Sequence, residues 1–264
     1  MNKIKQFFKI NDDYKIAKYS LISIFVCAFL AYNLILIYGF TNPDGINEGF
    51  YYYGAADWAS MGCGRWLIRY FNYAHANIVM PFITLVEYCL FTWLTLLTIF
   101  KVLNIKNIVN AVVTSILFIL LPGVITQMTY VYTAAAYCLS GLFTALFVYF
   151  NTLEDKRFSL LSSICLAFAM GLYQSYIGLA VALSLMYIIV KIINGKHVKE
   201  LLLFIIRSIL SALVALALYF VFYKADLMIF GLDAVERMQQ FSIKEIIGNF
   251  SFKFIEMYKV FLNN

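Results

Sequence analysis

Charge is scarce in this sequence: 13% of its 264 residues are Asp, Glu, Lys or Arg, against 63% that are hydrophobic. The apolar residues come in long runs instead of the amphipathic period of soluble helices. Together these features exclude a water-soluble globular domain and leave an integral membrane protein. Period-2 alternation is also missing, which excludes a barrel, and in lipid the helix is then what satisfies its own backbone. The five cysteines, at 27, 63, 89, 138 and 165, show no paired spacing and imply no disulfide framework. Four of them sit in apolar runs, where they act as small hydrophobes. His75 and His197 lack a Cys or Asp at ligand spacing, so neither a metal site nor a cofactor is expected. No internal repeat of about 20 to 50 residues is visible.

What charge there is marks topology. The net charge of +6 calls for no nucleic-acid partner, because lysine and arginine in a membrane protein collect on the cytoplasmic side. The opening segment MNKIKQFFKINDDYKIAKYS carries five lysines and no small-residue cleavage site, which reads as a retained cytoplasmic amphipathic segment. Tyr19 to Phe40 forms the first span and Ile78 to Phe100 the second, each near the roughly 20 residues that cross a hydrocarbon core. Ile108 to Phe150 is free of charge and interrupted by LPGVITQ, so two spans and a tight hairpin are expected there. Phe158 to Val190 holds two more, joined by GLYQSYIG (Gly171 to Gly178), partly sunk below the surface. Irregular backbone at that depth needs cover from protein or a water-filled cavity. Leu201 to Tyr223 is the seventh span.

The expected fold class is therefore all-α, a polytopic transmembrane helical bundle of about seven spans. Residues 1–223 make the membrane domain, with a first extracytoplasmic loop at 41–77, and residues 224–264 make an extracytoplasmic tail. Lys101, Lys106, Lys156, Arg157, Lys191, Lys196 and Lys199 fall on the side of the amino terminus, whereas the outer loops hold Arg65 and Arg69. That bias sets the amino terminus inside and gathers the polar loops on the extracytoplasmic face.

The first loop is far longer than a turn. Its EGFYYYGAADWASMG segment reads as an interfacial helix with aromatics at headgroup level, and plain anchoring is one account of it. In NPDG, Pro43 and Gly45 shape a tight turn that holds Asp44 just beyond the first span, although such a sequence is also an ordinary turn. Glu48 and Asp57 follow in the same loop. A carboxylate beside a membrane-level arginine serves either as a structural ion pair or as a general base next to a phosphate clamp. Arg65 and Arg69 carry the planar fork that suits a lipid-linked phosphate, with snorkelling to headgroups as the alternative. Glu87 stands inside the second span, where an ionisable group usually faces a cavity or a partner. Gln174 has the same standing, or bonds between helices.

NPDG after the first span, the aromatic segment leading to GRW, then LPG, YVYTAAAY and GLYQSY in order resemble the serotype-converting glucosyltransferase family II of bacteria and their phages, within the GT-C superfamily. The resemblance runs from about Tyr14 to Tyr223. It implies a hexosyltransferase, for glucose in the first instance. Such an enzyme takes a polyprenyl-phosphate sugar as donor and a surface polysaccharide such as O-antigen as acceptor, at the outer face of the bacterial inner membrane. Asp44 matches the carboxylate that acts at the acceptor, with Glu48 and Asp57 as further catalytic candidates. Arg65, Trp66, Tyr173 and Gln174 carry over as substrate-binding positions, beside Arg69 and Glu87 from the residue reading. Family members run longer, so a truncated or split chain is expected, with 242–262 as an amphipathic helix opening the missing part. A transporter or flippase of lipid-linked sugar is the competing function, and a non-catalytic membrane subunit a third.

Overall fold

The computed structural model describes residues 2–38, 60–78, 80–153, 155, 157–195 and 197–233, and every regular element among them is a helix. The expected amphipathic segment and first span are one continuous helix, α1 (Asn2–Tyr38), because no glycine or proline interrupts those 37 residues. A short helix, α2 (Trp66–Ala74), precedes α3 (Pro81–Leu103), which starts with proline at its first position and stops at left-handed Asn104. Asn107 then caps α4 (Ile108–Ile119) by accepting the Val109 and Asn110 N–H groups at 2.8 and 3.1 Å. After α5 (Pro122–Gln127) come α6 (Ala134–Thr152) and α7 (Arg157–Leu172). A single 3-10 turn (Gln174–Tyr176) leads into α8 (Ile177–Ile193), and α9 (Val198–Phe230) ends at left-handed Gly231.

Among the described residues five helices are long and apolar enough to cross a membrane: α1 through Asp13–Asn33, α3, α6, α8 with its preceding turn, and α9. The other two expected spans fall on α4 and α7, of 12 and 16 residues. At 1.5 Å per residue these reach about 18 and 24 Å, short of a ~30 Å hydrocarbon core. The Pro-Gly pair is a helix start where a hairpin turn was expected. Leu121 is pushed to an extended conformation by the proline after it, and α5 begins at Pro122. The break strands carbonyls inside an apolar region. Tyr32 donates to the Ile119 carbonyl at 2.8 Å and Tyr88 to that of Val124 at 2.8 Å, so two tyrosines satisfy them. α9 also continues to Phe230, beyond the expected end of the seventh span.

α6 is the centre of the bundle. Two-thirds of its apolar window is buried, 67%, against 11% for the α8 window. Ala134, Ala135, Ala136, Ser140, Gly141, Thr144 and Ala145 give it a surface of small side chains, and α3 and α7 pack closely along it. α1 lies on α3 and α4, and α9 lies on α7. At the end where α6 stops, Asn151 is 1% exposed and ties three helices. Its amide donates to Ser162 at 2.6 Å, its oxygen accepts from Ser211 at 3.1 Å, and Arg207 donates to the Asn151 and Leu153 carbonyls. Replacing Asn151→Leu is expected to cost about 1–2 kcal/mol, since the buried Ser162 and Ser211 hydroxyls lose their side-chain partner while the backbone carbonyls that Arg207 meets remain. Thermal unfolding in detergent reads this directly, and an unchanged Tm would show that the knot contributes nothing.

Candidate functional site

The opposite end of the bundle gathers α2, the starts of α3 and α6, the end of α7 and the last turns of α9. Its centre is the turn Gly62–Arg65. Gly64 N–H donates to the Met61 carbonyl at 2.8 Å and Arg65 N–H to that of Ser60 at 2.9 Å, with Gly64 at φ +84, a conformation that favours glycine. Three successive carbonyls of this turn point away from the backbone ladder, and each is met by a side chain from elsewhere. Tyr223 donates to Gly62 at 2.9 Å, Gln174 to Cys63 at 2.8 Å and Tyr219 to Gly64 at 3.0 Å. Gln174 also reaches the Tyr219 hydroxyl at 3.2 Å, which joins the 3-10 turn to α9.

Held this way, Arg65 lies against aromatics. Its guanidinium is 5.0 Å from the Tyr173 ring and 6.0 Å from that of Tyr137, and it donates to the Tyr137 hydroxyl at 3.2 Å. The two tyrosines stack at 4.3 Å. Among the described residues no carboxylate lies within ion-pair distance of Arg65, and its Nε is buried without a partner. A fixed cation over π faces with donors to spare is suited to an anion such as a phosphate.

Trp66 faces the other way. It is 6% exposed and packs edge-on to Phe168 and against Phe222, so it is part of the core beneath Arg65. Gly171 makes room for it, because a Cβ there would stand 2.6 Å from the indole. Arg69 has different neighbours from Arg65: Tyr73 at 2.7 Å, Met61 Sδ at 3.5 Å and the Phe230 ring at 3.5 Å. Beside it Tyr70 donates to Asp226 at 2.6 Å, and that bond, with burial, pushes the Tyr70 phenol up to about 12. Glu87 is paired. Its Oε1 is 2.8 Å from His75 Nε2, and His75 Nδ1 is 2.9 Å from the Phe71 carbonyl. Burial lowers the imidazole pKa, but the Phe71 carbonyl and the Glu87 carboxylate outweigh it, so the His75 pKa is raised.

Of the sequence-expected positions, Arg65, Tyr173 and Gln174 thus converge on one centre, Trp66 supports it from below, and Arg69 and Glu87 flank it with partners of their own. Asp44, Glu48 and Asp57 lie outside the described residues, as do residues 48–59 of the expected interfacial helix and the 242–262 segment, while residues 60–62, the end of that expected helix, are helical. Sequence reasoning did not pick out Tyr137, Tyr219, Tyr223, Asp226 or the His75 to Glu87 pair. The positions 219, 223, 226 and 230 do carry a signal, since i, i+4, i+7, i+11 form one helical stripe.

Two outcomes follow from this geometry. Gly171→Ala is expected to cost about 1–3 kcal/mol by overpacking and to shift tryptophan emission, because the Trp66 indole must move. For His75, a folded pKa above the unfolded one means the pair's contribution is complete below about 6.5 and is lost as pH rises through the higher folded value. Tm should therefore fall across that window, and Glu87→Gln should flatten the profile. A profile identical to wild type would show that the pair does not titrate there.

Compared with models of known families, residues 33–264 match the family described as glucosyl transferase GtrII. No curated protein matches, and no solved structure does. Because the family match covers most of the sequence, the chain belongs to the glucosyl transferase GtrII family.

Proposed function

We propose that this membrane glucosyltransferase takes its hexose from a polyprenyl-phosphate carrier and attaches it to a surface polysaccharide such as O-antigen, at the extracytoplasmic face of the bacterial inner membrane. The single observation that carries the donor class is Arg65: a cation fixed on the Tyr137 and Tyr173 rings with no carboxylate partner among the described residues. In such a transfer the acceptor hydroxyl oxygen bonds to the anomeric carbon while the bond from that carbon to the phosphate oxygen breaks. The hydroxyl proton passes to a base, and the departing polyprenyl phosphate carries the negative charge. Arg65 balances that charge where it develops. Asp44 is the proposed base, with Glu48 and Asp57 in the same loop as the other carboxylates able to take the proton. Asp57 stands three residues before Ser60 in the sequence, and Asp44 six after Tyr38. Tyr173 offers a ring for the sugar, Gln174 holds the turn that directs Arg65, Trp66 right after it is anchored in the core, and Arg69 and Glu87 border the substrate path.

Purified protein given polyprenyl-phosphate glucose and polysaccharide is expected to transfer the sugar. Arg65→Ala should lower kcat by about 100-fold or more, in line with the loss of one charge-stabilising group. Asp44→Asn should abolish transfer with an unchanged Tm. Transfer at the wild-type rate by the Asp44 variant would make Asp44 a turn residue only.

Orientation has its own measurement. Cys63 is the exposed cysteine among the described residues. A membrane-impermeant maleimide should label it on spheroplasts with intact membranes. Labelling that requires permeabilised membranes would reverse the proposed topology.

A further inference from the structure

A second polar site lies near Arg65, between the α2–α3 turn and the start of α6. Asn72, His75, Asn77, Glu87, Phe71 and Tyr132 line a cavity of about 20 Å³ there, room for one water or one hydroxyl group. Two of its polar atoms are not spent on the protein. Asn72 is 4% exposed and its Nδ2 is buried without a partner, and the buried Asn77 Oδ1 also has none. One unpaired donor and one unpaired acceptor thus belong to residues that line the same hole, and an amide left unpaired in a buried site is costly unless a ligand or water meets it. Glu87 engages His75 through Oε1. The cavity therefore holds an ion pair and two amides, a neutral set that matches hydroxyls better than a phosphate.

Aromatic rings connect this hole to the cation. Tyr132 lies 6.2 Å from Tyr130, Tyr130 lies 6.4 Å from Tyr137, and Tyr137 stacks on Tyr173 beneath Arg65. Such rings offer apolar faces with a hydroxyl at the tip, which suits a sugar ring.

We infer that the Asn72–His75–Asn77–Glu87 pocket, with Tyr132, is a subsite for one hydroxyl of a neutral pyranose, set apart from the phosphate-binding Arg65 along the tyrosine chain. The inference rests on the glycosyltransferase reading of the same end of the bundle. Both substrates contain such a ring, so the shared chemistry is the neutral sugar, and the kinetics separate donor from acceptor.

The test compares the full-length protein with Asn72→Ala and Asn77→Gly. The second variant removes the side chain while suiting the positive φ of 57° at that position, so it keeps a folded protein in hand if Asn72→Ala unfolds. KM for polyprenyl-phosphate glucose, KM for polysaccharide and kcat are measured separately. Loss of one or two hydrogen bonds is expected to raise one KM about 3- to 30-fold, with kcat within about twofold. A rise in acceptor KM assigns the pocket to the acceptor, and a rise in donor KM assigns it to the transferred sugar. Unchanged values for both, with wild-type Tm, would overturn the subsite and leave a water-filled hole. Should the wild-type protein transfer nothing, the enzymatic reading fails on its own. The pocket is then judged by saturation-transfer NMR with free glucose and a glucose oligosaccharide: signal lost in Asn77→Gly supports it, and equal or absent signal overturns it.

Discussion

Three consecutive peptide carbonyls, those of Gly62, Cys63 and Gly64, set the constraint on which this end of the molecule depends. A tight turn at the edge of an apolar bundle cannot leave such groups unpaired, because there is too little water to take them. Tyr223, Gln174 and Tyr219 supply the donors, from α9 and from the turn between α7 and α8. Elements distant in sequence are thereby fixed around a segment of three residues. Arg65 follows directly after it, so its direction toward Tyr137 and Tyr173 is a consequence of how the turn is held. The stripe on α9 continues with Asp226 on Tyr70 and Phe230 under Arg69, which extends the same seam along α2.

The bundle allows this because its centre is narrow. Small residues along α6 bring α3 and α7 close, and Gly171 lets Trp66 sit where a Cβ would collide with it. Polar ties then mark both ends of α9: the Asn151 knot at one and the tyrosine-capped turn at the other. Between them the contacts are largely apolar, and dispersion and shape decide the fit. A rigid frame tied at each end can hold a cation and a small polar hole in fixed relation, which is what a group-transfer site requires.

Much of the frame was legible because a lipid environment demands long apolar runs, and these stand out in α1, α3, α6, α8 and α9. Local signals carry less. Pro122 marked a break, but whether it turned the chain or restarted a helix depended on Tyr32 and Tyr88 reaching the stranded carbonyls. Glu87 stood out as an ionisable group in an apolar helix, yet its partner, His75, is brought to it only by the α2–α3 turn. Arg65, Tyr173 and Gln174 occupy motif positions, and Tyr137 closes YVYTAAAY without a role assigned to it there, whereas Tyr219 and Tyr223 look like any tyrosines of a membrane helix. Asp226 falls in the expected tail, because the helical stripe it shares with Tyr219 has meaning only once α2 is packed against it.

By itself the sequence determined that this is a helical membrane protein with its polar chemistry concentrated in a few segments, since hydropathy is a property of the chain and not of its folding. Its order of motifs also carried the glucosyltransferase family. Tertiary structure decided which polar groups meet: the carbonyls with their distant donors, Arg65 with two tyrosines, Glu87 with His75, and the unpaired amides of Asn72 and Asn77 with one cavity. Those meetings depend on hydrogen bonds that act over about 3 Å between residues up to 161 positions apart, and no local pattern encodes that reach.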